Sequence, residues 1–157
     1  MEKINLVYNI LRNKGLNPVI EDDSIFVKYE MKSLLINVIE DDSNENSEMG
    51  TYANVLFPGY YDLSEGEVPE VLLVCNKANR ELRQIKTFVA EDLTHVTSSF
   101  EFWFQNEDEL ENNLSHAFLM ISHIRRWFYR ELEKMQEESK VIAEYQGQEE
   151  SDSNGCL

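Results

Sequence analysis

Helix-like and strand-like patterns of hydrophobic residues follow one another along this chain in a fixed order. That order restricts the folds that the chain can adopt. Apolar residues recur at helical spacing near the start, the middle and the end of the sequence, whereas the segments between them alternate apolar and polar residues as half-buried strands do. The order predicts an α+β fold in which helices pack on an antiparallel sheet, in the sequence α-β-β-β(-β)-α-β-β-α.

Turn residues mark the predicted elements of the first half. A helix over residues 3–14 ends at Gly15, which suits the left-handed conformation found at helix C-termini. Pro58 and Gly59 are expected to stop the last strand of this half. Residues 41–50 read DDSNENSEMG and predict a solvated loop. The strands are predicted over residues 18–21, 24–29, 33–40 and 51–57.

The second half holds two further helices. Pro69 places the start of the central helix near residues 66–68, because proline fits the first helical turn. Asn106 has the form of an N-cap for a long last helix that runs to about Gln136. We therefore predict one domain over residues 1–136 and an acidic, disordered tail over residues 137–157. The central helix is expected to bury Val71, Cys75, Ala78, Leu82 and Ile85, and strands are expected over residues 87–90 and 95–104.

The charge balance argues against several classes of partner. Thirty acidic and 14 basic residues give a formal net charge of −16, which repels the phosphates of nucleic acids and the surfaces of anionic membranes. No run approaches the ~20 apolar residues of a membrane-spanning helix. The N-terminus lacks a signal-peptide pattern, so we expect a cytoplasmic protein. Cys75 and Cys156 form neither a disulfide framework nor a metal motif, and we expect no cofactor.

Catalytic motifs are not evident in the sequence. The chain has no nucleophile elbow, P-loop or dinucleotide-binding glycine fingerprint. Acidic pairs lie at predicted turns, where solvated carboxylates are the ordinary outcome. We therefore expect a protein that is not an enzyme, with no catalytic residues.

The last helix carries a second, partly apolar face besides its core stripe. His116, Met120 and His123 share this face with Trp127. Two imidazoles and a thioether suit a soft metal, although the two histidines are two turns apart, about 10 Å along the axis. The alternatives are contact with another chain and burial within the monomer.

Aromatic residues and arginines provide further candidates for partner binding. Tyr60 and Tyr61 follow the Pro58-Gly59 stop, where an aromatic pair suits a sheet edge or a partner. Trp103 lies on the mixed face of its strand, either exposed or paired across an interface. A basic cluster is expected to pair with neighbouring glutamates, or else with an acidic or aromatic protein partner. It consists of Arg125, Arg126 and Arg130.

One segment resembles a known family. The sequence VCNKANREL over residues 74–82, followed by KTFV over residues 86–89, is similar to the helix-to-strand segment of the YbjN-like family, and the element order agrees over residues 4–135. The resemblance implies the α+β fold shared with type III secretion chaperones, which bind segments of other proteins as dimers, and it implies a regulatory role. It brings no catalytic residues. Asn76 and Asn79 match the motif, and we expect them to bond nearby backbone.

These features together predict a non-enzymatic bacterial module, chaperone-like or regulatory, that acts as a homodimer. It is expected to bind an unidentified protein or peptide through a sheet edge or a helix face. The alternative is a small enzyme, or a small-molecule- or metal-binding protein, with a pocket between the sheet and the last helix. In that case His95, His116 or His123 would supply the polar group. The candidate partner-binding residues are Tyr60, Tyr61, Trp103, His116, Met120, His123 and Trp127.

Overall fold

The computed structural model describes residues 2–40 and 49–154, and it confirms the predicted α+β fold. A six-stranded antiparallel sheet has the strand order β1-β2-β3-β4-β6-β5. The strands are β1 (Val19–Glu21), β2 (Ser24–Tyr29), β3 (Lys32–Ile39), β4 (Thr51–Asp62), β5 (Ile85–Val89) and β6 (His95–Phe104). The helices are α1 (Lys3–Asn13), α2 (Val68–Glu81) and α3 (Glu107–Asn154), with a 3-10 turn over Glu65–Glu67 before α2.

The core lies on one face of this sheet. α3 packs against β4 and β6, α1 contacts β2 and α3, and α2 contacts β5 and α3. The largest fully buried side chains include Phe100 and Phe104 from β6 and Phe128 from α3. Phe100, Phe102 and Phe104 alternate along β6, and α3 covers the face on which they lie. Burial of each large side chain is worth roughly 1.5 to 3 kcal/mol.

Gly15 and Asn106 mark helix ends in the structure, as the sequence predicted. Gly15 has a φ of +83° after α1, and the amide of Leu16 donates to the carbonyl of Leu11 at 3.1 Å, which closes the helix. The Oδ1 of Asn106 accepts a hydrogen bond from the amide of Glu109 at 2.9 Å, as an N-cap does. The end of α1 and the start of α3 are therefore set by local chemistry.

Pro58 and Gly59 do not end β4, so that prediction was wrong. The strand continues to Asp62, and its register against β6 shifts between Phe57 and Tyr61. The irregularity accommodates the proline, which has no amide proton for the ladder, while the amide of Gly59 donates to Thr97 Oγ1 at 3.2 Å.

The ends of α2 and α3 also differ from the prediction. α2 stops at Glu81, and Ile85 opens β5 instead of extending the helical stripe. α3 continues past Gln136 to Asn154 as a helix, although residues 137–151 are all exposed. Glutamate, lysine and glutamine favour helix, and a helix already nucleated by packing extends without a new nucleus. The predicted solvated loop lies, apart from its last two residues, outside the described residues, as does Cys156.

Asn79 joins α2 to the edge strand β5. Its Nδ2 donates to the carbonyl of Thr87 at 3.0 Å, and its Oδ1 accepts from the amide of Thr87 at 2.7 Å. The expectation that Asn79 bonds nearby backbone is confirmed. These bonds occupy the backbone groups of β5 that point away from β6, and so cover the middle of this sheet edge.

We predict that Asn79→Ala lowers the free energy of unfolding by about 1 to 2 kcal/mol, because two hydrogen bonds to backbone groups are lost. Urea unfolding followed by circular dichroism measures the change. Asn76→Ala is the matched control, since Asn76 is exposed on the same helix. Its side chain hydrogen-bonds to no described residue, so the expectation that it bonds nearby backbone was wrong. Equal effects of the two substitutions would contradict the role assigned to Asn79.

Candidate partner-binding face

The sheet face opposite the core is open to solvent and has exposed apolar side chains. Phe26, Ile39 and Trp103 are 45, 52 and 46% exposed. We call this surface the open face, and define it by the residues that the strand register places there. Its apolar members are Val19, Phe26, Leu35, Ile39, Tyr52, Leu56, Phe88 and Trp103.

An aromatic row crosses one end of the open face. Ile39 of β3 lies opposite Tyr52 of β4, which in turn lies opposite Trp103 of β6. The rings of Tyr52 and Trp103 meet edge to face, with centroids 5.3 Å apart. Such cross-strand aromatic pairs hold each other in one orientation. The row therefore presents a fixed apolar surface, with Trp103 nearly half exposed.

A polar row runs beside the aromatic one. Ser24 Oγ donates to Asn37 Oδ1 at 2.7 Å, and Asn37 Nδ2 donates to Asn54 Oδ1 at 3.1 Å. The next residue across the sheet is Glu101, whose carboxylate forms an ion pair with Lys86 Nζ at 2.9 Å. The hydrogen bond to Glu101 raises the pKa of Lys86. The row thus combines oriented amides with one neutralised charge pair.

A second apolar row lies on the far side of the polar one. The row consists of the successive cross-strand neighbours Val19, Phe26, Leu35 and Leu56, and it continues through Ser99 of β6 to Lys86 of β5. The hydroxyl of Ser99 is buried and has no hydrogen-bond partner within the described part of the chain. The open face thus carries two apolar rows with hydrogen-bonding side chains between them.

Tyr60 and Tyr61 belong to the core side and not to an exposed surface. Tyr60 is 7% exposed, and its hydroxyl is 2.9 Å from Ser98 Oγ. Burial raises the pKa of Tyr60 well above its ordinary value. Tyr61 is half-buried against Phe128, and its hydroxyl donates to Glu67. The bulge in β4 turns both rings inward, an outcome that the Pro58-Gly59 signal did not predict.

The candidates on α3 divide into two kinds. His116 and His123 are exposed, whereas Met120 and Trp127 are half-buried and pack against the core cluster. The second face of α3 is thus partly used within the monomer. Among the described residues, no group of three or more histidines, cysteines, aspartates and glutamates is placed to hold a metal ion.

The sequence reading identified Trp103 but missed its neighbours on the open face. Their alternation in the sequence predicts only that Tyr52 and Ile39 belong to strands. The sequence does contain evidence for these neighbours, because β3 carries apolar residues on both of its faces. A strand that packs on one side only should alternate with polar residues. The second apolar face of β3 therefore predicted exposed apolar side chains on the open face.

Comparison with known proteins gives a fold likeness and no sequence relative. No family model matches the chain, and no curated protein matches it. The crystal structure of YbjN from E. coli, a proposed transcription regulator, aligns with a TM-score of 0.56 at 8% identity, over 80% of this chain and 87% of that one. The fold is YbjN-like. At this identity the likeness concerns the fold alone, and the similarity to type III secretion chaperones stays a prediction.

None of the helices in the described ranges combines the length and apolar character that crossing a bilayer requires.

We predict that the two tryptophans differ in access to solvent. Trp103 is 46% exposed on the open face, whereas Trp127 is half-buried against the core. Acrylamide should therefore quench the fluorescence of the Trp127→Phe variant, which retains Trp103, more strongly than that of the Trp103→Phe variant. Stern–Volmer constants measured on both variants check this, and equal constants would contradict the exposure assigned to the open face.

Proposed function

We propose that this chain is a non-catalytic bacterial cytoplasmic module that binds a protein or peptide through the open face, and that it acts as a homodimer. The open face is the main support for this proposal, because contiguous exposed apolar surface is typical of interaction sites. The description of the YbjN-like neighbour as a regulator is compatible with a binding role.

The face is a better candidate than either sheet edge. Asn79 occupies the outward backbone groups of Thr87 in β5. β1, at the other edge, has three residues, which is too short to template an added strand of useful length. A partner is therefore expected to contact side chains of the open face, with Trp103 as the anchor, because tryptophan is enriched among the residues that dominate binding energy.

The alternative, a small-molecule site or small enzyme between sheet and α3, has no comparable support. Core side chains such as Phe100 and Ile121 fill the space between these elements. His95 is engaged locally, with its Nδ1 2.8 Å from Thr94 Oγ1. Metal analysis and a thermal-shift screen test this alternative, since a ligand that binds only the native state raises the melting temperature.

We predict that Trp103→Glu weakens binding of peptides selected from a displayed library by at least about tenfold, or roughly 1.4 kcal/mol. Fluorescence polarisation of labelled peptides measures the affinity. Leu93→Glu is the matched control, because Leu93 has the same 46% exposure as Trp103 but lies in the turn between β5 and β6.

Hydrogen exchange of the bound complex adds a positional test. Protection by the peptide is expected in β3, β4 and β6, whose residues form the aromatic row. Protection confined to the helices, or peptides that bind the Trp103→Glu variant as tightly as the original chain, would exclude the open face as the site.

A further inference from the structure

A basic groove runs between α3 and the start of β3, and it has a volume of about 560 Å³. Four of its lining residues carry positive charge, namely Lys32, Arg125, Arg126 and Arg130. We call this surface the basic groove. It is separate from the open face, because α3 packs on the other face of the sheet.

The turn between β2 and β3 is joined to α3 through Glu30. Glu30 and Met31 both have left-handed backbone conformations, with φ values of +47° and +64°. The carboxylate of Glu30 lies 3.3 Å from Lys32 Nζ. Hydrogen bonds with Ser122 of α3 and with Lys32 hold the pKa of Glu30 below its ordinary value. Lys32 is thus partly neutralised, and the free positive charge of the groove lies on α3.

The arginines of the groove lack the glutamate partners that the sequence predicted. Arg125 lies over the ring of Tyr129, 5.6 Å from its centroid. Neither Arg126 nor Arg130 forms an ion pair with a residue in the described ranges. Each of these two exposed guanidinium groups can therefore form a bidentate pair with a carboxylate from a partner.

The spacing of the two unpaired arginines suits an extended acidic peptide. Arg126 and Arg130 lie four residues apart on one face of α3, a rise of about 6 Å. In an extended chain, residues i and i+2 project to the same side and lie about 6.6 Å apart. Acidic residues at alternate positions of such a chain would therefore place one carboxylate against each guanidinium.

The charge of the groove limits how many acidic residues it can accept. Glu133 lies three residues beyond Arg130, at the end of the groove, and Glu30 lies beside Lys32. The four basic residues thus exceed these two carboxylates by two charges. Two acidic residues of a partner would neutralise the excess, whereas a longer acidic run would meet Glu133.

We propose that the basic groove binds an extended segment of a partner protein in which two acidic residues flank one other residue. The two carboxylates pair with Arg126 and Arg130, and the segment covers Tyr129, which is 43% exposed. This site is additional to the open face and does not depend on the homodimer.

A short acidic peptide suits the groove better than other anions. From Ser122 to Glu133 the groove spans about 16 Å of helix, which is the length of about five extended residues. A nucleic acid or an anionic membrane extends beyond the groove, where the net charge of −16 repels it. An inorganic anion occupies little of the volume and leaves Tyr129 uncovered.

Two labelled peptides of identical composition test the spacing. Fluorescein-labelled GSESEYGS carries its acidic residues at alternate positions, whereas GSEESYGS carries them side by side. In an extended chain only the first places both carboxylates on one side. We predict that the full chain binds GSESEYGS at least about threefold more tightly, which is the scale of one exposed ion pair. Fluorescence polarisation at low ionic strength measures both affinities.

Charge reversal tests the two arginines. We predict that Arg126→Glu and Arg130→Glu each weaken binding of GSESEYGS by at least about fivefold, because an exposed attraction becomes a repulsion of similar size. Arg80→Glu is the matched control and should leave the affinity unchanged. Arg80 is exposed on α2, which meets α3 through the ion pair of Lys77 with Glu131 and lines no part of the groove.

Glu133→Gln gives a change of opposite sign. We predict that it strengthens binding of GSESEYGS by about twofold, because it removes a carboxylate that repels the peptide. A variant that damaged the fold would not bind more tightly, so this result separates a contact in the groove from a structural effect. Weaker binding by Glu133→Gln would contradict the position assigned to the peptide.

Several results would overturn the proposal. They are equal affinities for the two peptides, and unchanged affinities for the Arg126→Glu and Arg130→Glu variants. Binding of inorganic phosphate or of a thymidine oligonucleotide, with no binding of GSESEYGS, would make the site one for another anion. Self-association that Arg130→Glu abolishes, again without peptide binding, would make a second copy the occupant.

The Trp103→Glu variant separates this site from the open face. It should bind GSESEYGS as tightly as the original chain, because Trp103 lies on the other side of the sheet. Loss of this binding in Trp103→Glu would place the acidic peptide on the open face and overturn the groove as its site. Failure of the groove would leave the proposed function standing, since the library-selected peptides test that function independently.

Discussion

The packing of α3 across β4 and β6 is the interaction on which the rest of the structure depends. Phe100, Phe102 and Phe104 form a ladder on the buried face, with successive ring centroids 6.2 and 6.1 Å apart. Leu114 and Phe128 of α3 are fully buried in the same core. Each such side chain adds roughly 1.5 to 3 kcal/mol of burial free energy, and α1 and α2 complete the core by contacting α3 at its flanks.

This arrangement commits the helices to one face of the sheet and thereby creates the open face. An antiparallel sheet tolerates solvent on one side when that side is polar. Here it carries the Tyr52–Trp103 pair and a second aliphatic row, with a hydrogen-bonded row of amides between them. The same packing leaves Arg125, Arg126 and Arg130 of α3 exposed, together with its residues 137–151. The sheet and the last helix therefore each have a surface exposed to solvent.

Local signals predicted most of the secondary structure because they act over a few residues. Gly15, Pro69 and Asn106 each mark a helix end that the structure confirms. Predictions from the sequence were wrong where pairing between distant strands decides the structure. β4 continues through Pro58 because β6 supplies a ladder on either side of the irregularity. Ile85 leaves the helical stripe because β6 pairs with it through Phe100.

The sequence by itself determined the α+β class, the order of the elements and the acidic charge, because these follow from hydrophobic period and composition. It also singled out Trp103 and the three arginines of α3, although not their surroundings. Only the tertiary structure decided which aromatic residues are exposed. Tyr60 is buried and Trp103 is not, because strand register and the β4 irregularity determine the face on which each side chain lies. Residues far apart in the chain, such as Lys32 and Arg126, form one groove only after the β2–β3 turn packs beside α3.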